Sequence, residues 1–97
     1  KEESMFNINL RGTDYRIVFE HNRRGDNYTT CWLIHQESKT RVDAARSFCS
    51  KKDHFNKNEG RKLALTRLVN NPNWNFTREE RKAIWEAYAA TRHGKVD

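Results

Sequence analysis

Four histidines, two cysteines and a series of lysines and arginines are the side chains with which this sequence could do chemistry. The histidines are His21, His35, His54 and His93. None has a second histidine or a carboxylate at the spacing a metal needs. Asp53, His54 and Glu59 bring an imidazole and two carboxylates near one another in sequence, but that spacing alone does not make a site. Cys31 and Cys49 lack the C-x-x-C spacing of zinc or redox centres. The chain has no G-x-S-x-G nucleophile elbow. No catalytic residue, metal or cofactor is therefore assigned. A small nuclease or other enzyme whose residues meet only in the fold is kept as the third reading.

Anion binding has more support. The stretch from Cys49 to Arg67, CSKKDHFNKNEGRKLALTR, places lysines ahead of a glycine and a helical run. It has no G-x-x-x-x-G-K-[ST], so a nucleotide P-loop is not expected. A helix N-terminus there could hold a phosphate through its free N–H groups, with Lys51, Lys52, Lys57, Arg61 and Lys62 reinforcing it. Equally, those lysines could form a solvated face, with Gly60 only letting a helix lie close to a sheet. In HNRRGDNY, Arg23 and Arg24 sit at a hairpin tip beside Tyr28, where arginine forks could meet phosphates or base edges. The candidate surface for nucleic acid or an acidic partner is thus Arg23, Arg24, Tyr28, Lys51, Lys52, Lys57, Arg61 and Lys62. Arg11, Arg16, Arg41 and Arg46 lie along the strands. If they share the face opposite the helices, they make a basic sheet surface able to stack on bases. Tyr15 and Trp32 alternate with other apolar residues and are expected in the core, and no RNP-type aromatic motif is present.

The composition agrees with a binding role. With 97 residues, one domain is expected, and the core can be only modest. Lys1 is not an encoded first residue, so residues 1–4 are read as a remnant or a disordered start and residues 5–97 as the domain. Three tryptophans, three tyrosines and five phenylalanines supply enough buried area to argue against disorder. The formal charge of +6 favours anionic partners. No window approaches the ~18 apolar residues of a membrane span. The cysteines fall in apolar segments, which suggests buried free thiols and a cytosolic setting. A disulfide between them is open if their strands are neighbours.

The elements that must carry these residues follow from periodicity. MFNINL alternates, with Phe6, Ile8 and Leu10 on one side, as a half-buried strand does. RGTD is a turn by composition. YRIVFE alternates again through Tyr15, Ile17 and Phe19. YTTCWLIHQ is rich in β-branched and aromatic residues and apolar on both sides, which suggests a central strand. Arg41 to Cys49 is a weaker fourth strand whose alanines could instead begin a helix. Beyond Cys49 the period becomes helical through Leu63, Ala64, Leu65, Leu68 and Val69. Asn70, Asn71 and Pro72 end that helix. Thr77 and Glu80 form a capping box for a second helix running through Ile84, Ala87, Tyr88 and Thr91, with Gly94 placed to stop it. Trp74 and Phe76 would pin the loop between the helices. The fold class is therefore α+β: an antiparallel sheet of three or four strands followed by two helices on one face.

The segment from Cys49 to Arg67, written C-S-x-K-D-x-F-x-K-x-x-G-R-x-L-A-L-x-R, resembles a pattern in small, mostly uncharacterised phage-encoded proteins. The resemblance covers about a fifth of the chain. It implies a phage or prophage origin, and the leading expectation is a non-enzymatic phage-type accessory protein that acts by binding. Such proteins often inhibit host enzymes or defence systems, CRISPR effectors among them. The partner expected from the basic charge is a host protein with an acidic surface, its nucleic acid, or both, in the host cytoplasm. Direct DNA or RNA binding through the basic hairpin is the alternative.

Overall fold

A computed structural model describes residues 4–22, 28–48 and 57–91. The chain forms four strands and then two helices: β1 (Ser4–Leu10), β2 (Thr13–Asn22), β3 (Tyr28–His35), β4 (Arg41–Phe48), α1 (Lys57–Val69) and α2 (Arg78–Ala89). The strands make one antiparallel sheet in the order β1-β2-β3-β4. The expected α+β architecture is the one observed. β1 already contains Ser4, one residue ahead of the expected domain start.

Local chemistry accounts for these elements. Leu10 pairs with Thr13 across a two-residue turn in which Arg11 (φ 55°) and Gly12 (φ 80°) are both left-handed. Such primed turns match the twist of the flanking strands. The weak β4 segment is a strand despite its alanines. Ala45 and Ser47 pair with Cys31 and Thr29 of β3, and ladder pairing overrides the helical propensity of alanine. The β3–β4 register shifts beside Leu33 and Ile34, which leaves Val42 as an extra, exposed residue.

One face of the sheet carries the core. Ile17, Phe19, Cys31 and Leu33 meet Ala64, Leu65 and Leu68 of α1 and Ile84 and Tyr88 of α2. Phe6 and Phe19 both pack edge-on or tilted against neighbouring rings, with Tyr88 centroids at 6.1 and 5.7 Å. Cys31 is a buried free thiol, and burial pushes its pKa up. Cys49 lies outside the described residues. Leu63, expected on the apolar arc of α1, is exposed. Trp74 and Phe76 stack at 5.4 Å, and Trp74 meets Tyr15 at 5.6 Å, so the interhelical loop is pinned as expected. No helix among the described residues is long and apolar enough to cross a membrane.

Gly60 sets how closely α1 lies on the sheet. A Cβ there would fall inside contact distance of Thr29 Oγ1 and 3.2 Å from Thr29 Cβ. Ser47 Oγ donates to the Gly60 carbonyl at 2.9 Å, which ties the same turn to β4.

The expected capping box is present. Thr77 Oγ1 accepts from the Glu80 N–H at 3.1 Å, and Glu80 Oε1 accepts from the Thr77 N–H at 2.8 Å. Thr91 lies beyond the helix. Its hydroxyl donates to the Tyr88 carbonyl at 2.7 Å and closes the last turn. Gly94, the expected stop, is outside the described residues. Arg11 does not join the strand arginines. Its guanidinium reaches from the β1–β2 turn to Glu80 at 2.8 Å and donates to the Trp74 carbonyl at 3.0 Å. This contact joins the sheet to the start of α2.

That clamp predicts a specific acid response. The Arg11 hydrogen bond, followed by the Thr77 N–H, holds the Glu80 carboxyl down to about 2 from an ordinary 4.5. A depressed carboxyl contributes stability above its unfolded pKa, and that stability is lost as the pH falls through the folded pKa. Glu80→Gln keeps the capping geometry but loses the ion pair. The melting temperature of the wild type should exceed that of Glu80→Gln at neutral pH. The gap should close between about pH 5 and pH 2. A gap that stays constant across that range would show that the ion pair contributes nothing.

Candidate nucleic-acid interface

Among the described residues, no helix covers the second face of the sheet. Strand alternation sends Met5 and Asn7 of β1, Arg16, Val18 and Glu20 of β2, Tyr28, Trp32 and Ile34 of β3, and Arg41, Arg46 and Phe48 of β4 to this side. Three of the four strand arginines therefore share one face, as a basic sheet surface requires. The register brings them next to rings. Arg41 pairs with Ile34, one step along from Trp32, and its guanidinium carbon lies 4.4 Å from the Trp32 ring centroid. Arg46 lies 4.9 Å from the Tyr28 ring, and Tyr28 and Phe48 are cross-strand partners with ring centroids 5.6 Å apart. These are cation–π distances, worth about 0.5–1 kcal/mol each at exposed positions.

Tyr28 and Trp32 are four residues apart on one strand, roughly 13 Å along it. Thr30 between them is buried, so the side chains around it close over the backbone. The two arginine–ring pairs thus form two neighbouring platforms. Beside the Trp32 platform lies a groove of about 300 Å³. Val18 and Ile34 form part of its apolar lining, and Arg16, Lys39 and Arg41 bring positive charge to it. Glu20 is the one carboxylate among its lining residues, and its Oε1 accepts the Trp32 indole N–H at 3.2 Å. Arg16 is steadied by Asn7, which accepts from its Nε at 3.2 Å.

Trp32 is therefore not a core residue. β3 is apolar on both sides, but the helices cover only the side carrying Cys31 and Leu33. Tyr15 does point to the helix side and packs against the core, half-buried. Of the candidate surface named from sequence, Tyr28 is on the open face. Lys57 and Lys62 are exposed on α1, in the layer on the other side of the sheet. Arg61 is a correction to the expected surface: it is 5% exposed, bonded to Asn58 Oδ1 and 3.3 Å from His21 Nε2. The close approach at Gly60 carries it under the helix rather than out to a phosphate. Arg23, Arg24, Lys51 and Lys52 lie outside the described residues, as do Asp53 and His54. The described histidines have structural partners: His21 Nδ1 is 2.8 Å from Thr29 Oγ1, and His35 Nδ1 accepts from the Ser38 N–H at 3.2 Å.

Sequence reasoning named the strand arginines but missed Trp32, Glu20 and Phe48 as their neighbours. A signal for Arg61 was present: it stands three, four and seven residues before Ala64, Leu65 and Leu68, on the buried arc. Comparison with protein-family models, curated proteins and solved structures gives no match to this chain.

Proposed function

We propose that this protein is a non-enzymatic binding module whose open sheet face takes single-stranded nucleic acid. The observation that carries this reading is the pairing of Arg41 with Trp32 and of Arg46 with Tyr28 on one uncovered face. Unpaired bases have π-faces that stack on aromatic rings and on guanidinium planes, and their phosphates meet cationic side chains. A sheet face with rings and arginines offers both interactions at once. The net charge of +6 favours the encounter with a polyanion. Duplex bases are already stacked on one another, so they cannot use these platforms without unstacking.

A second reading rests on Met5, Val42 and Phe48, large apolar side chains that are exposed. Rings and arginines with an apolar margin also suit docking on an acidic host protein, the inhibitor role implied by the phage-like motif. The two readings differ in what occupies the face.

Titration with a short single-stranded oligonucleotide at several salt concentrations tests the first reading. Single strands lose affinity with a log–log slope of about 0.7 per phosphate neutralised. Arg16, Lys39, Arg41 and Arg46 should then give a slope of roughly 2 to 3. No binding at low salt, together with one host protein retained from lysate after nuclease treatment, would favour the inhibitor reading instead.

A further inference from the structure

We infer that the groove beside Trp32 selects guanine from a single strand, with Glu20 as the specificity-determining residue; this rests on the reading of the open face as a nucleic-acid site. Glu20 is out of place in a surface that only holds phosphates. Among the described residues it is the sole carboxylate lining a groove that also presents Arg16, Lys39 and Arg41. The negative charge disfavours a phosphate at the Glu20 end of the groove, beside Trp32, and suits a base there, with the backbone passing over the arginines. The apolar side chains of Val18 and Ile34 and the ring of Trp32 suit a flat heterocycle. At about 300 Å³ the groove is at the lower end of the ~300–1,000 Å³ typical of small-ligand sites, the scale of one base rather than several.

The hydrogen-bonding groups narrow the base. The Trp32 N–H holds Glu20 Oε1 in place at 3.2 Å, while Oε2 has no hydrogen-bond partner among the described residues. A carboxylate held in this way accepts from adjacent N–H donors. Guanine presents two side by side on its Watson–Crick edge, the ring N1–H and the exocyclic amino group. Cytosine and adenine place an acceptor next to their amino group, which would face the carboxylate unfavourably. Uracil and thymine offer a single ring N–H. The remaining edge of guanine, O6 and N7, accepts from arginine or lysine, and Arg16 and Lys39 line the same groove. Arg16 uses its Nε on Asn7, and its two terminal amino groups have no partner among the described residues.

The test is competition among short oligouridines that differ in one central base, using the full chain and Glu20→Gln. Gln still accepts from the Trp32 N–H through its amide oxygen, but it loses the charge and offers a donor where guanine also has one. The wild type should prefer the guanine-containing strand by about tenfold. Glu20→Gln should lose that preference, with the guanine-containing strand falling to the level of plain oligouridine. Binding of all strands with equal affinity, or a guanine preference that survives Glu20→Gln, overturns the inference and leaves the open-face reading standing. Absence of binding to any single strand overturns both.

Discussion

Arg41→Glu combined with Arg46→Glu is expected to weaken binding to a single-stranded oligonucleotide roughly a hundredfold, with the protein still folded and its melting temperature lower by several degrees. Each substitution turns a cation into an anion and removes one of the guanidinium groups stacked on Trp32 and Tyr28. Base stacking is worth about 1–3 kcal/mol per base, and repulsion of the phosphates adds to its loss. The fold should survive because both arginines are exposed on an outer strand and neither contributes to the helix-facing core; the loss of stability is limited to the two ring contacts, about 0.5–1 kcal/mol each. The informative control is Lys57→Glu with Lys62→Glu, the same charge change placed on α1. If that pair weakens binding more than the arginine pair does, the interface is on the helix layer and the open face is misassigned.

Gly60→Ala should destabilise the protein by about 1–3 kcal/mol, the usual cost of overpacking a tight contact. The sign is not obvious from the helix alone. Alanine inside a helix is favoured over glycine by about 1 kcal/mol. Here the added methyl would overlap Thr29 Oγ1, a short side chain that is fully buried and in contact with His21. Thr29 has little room to move, so α1 must lift away from β3 and β4. Urea unfolding measures the effect. Thr29→Ala in the same chain should recover part of the loss, because the overlapping oxygen is gone. A neutral or stabilising Gly60→Ala would mean that the helix–sheet approach tolerates a methyl and that the glycine has another role.

Much of this fold is legible in the sequence, and the reasons are local. Phe6, Ile8 and Leu10 alternate, as do Tyr15, Ile17 and Phe19, and a period of two has only one reading. Thr77 and Glu80 mark the start of α2 by chemistry that needs no tertiary partner. β4 was weaker because Ala44 and Ala45 favour a helix, and only pairing with β3 makes them strand residues. The face of Trp32 was illegible for a different reason. Trp32 and Ile34 are as apolar as Cys31 and Leu33, so β3 itself does not say which side the helices cover. The contact of Arg41 with Trp32 depends on the register shift that leaves out Val42, and no alternation rule contains it. The Arg11–Glu80 clamp joins residues 69 positions apart and has no local signal at all. The helical phase of Arg61 places it on the buried arc, whereas its charge alone points to the surface.

The proposed function requires that the open sheet face, and not the helix layer, holds the ligand. The most direct measurement is a residue-resolved NMR titration of the folded protein with a short single-stranded oligonucleotide. The indole N–H of Trp32, with the amides of Arg16, Arg41 and Arg46, should shift progressively and saturate together. The amides of Leu63, Thr66 and Arg67 on α1 should stay where they are. Shifts confined to α1, with the Trp32 indole unmoved at saturation, would place the ligand on the helix layer and contradict the proposed function.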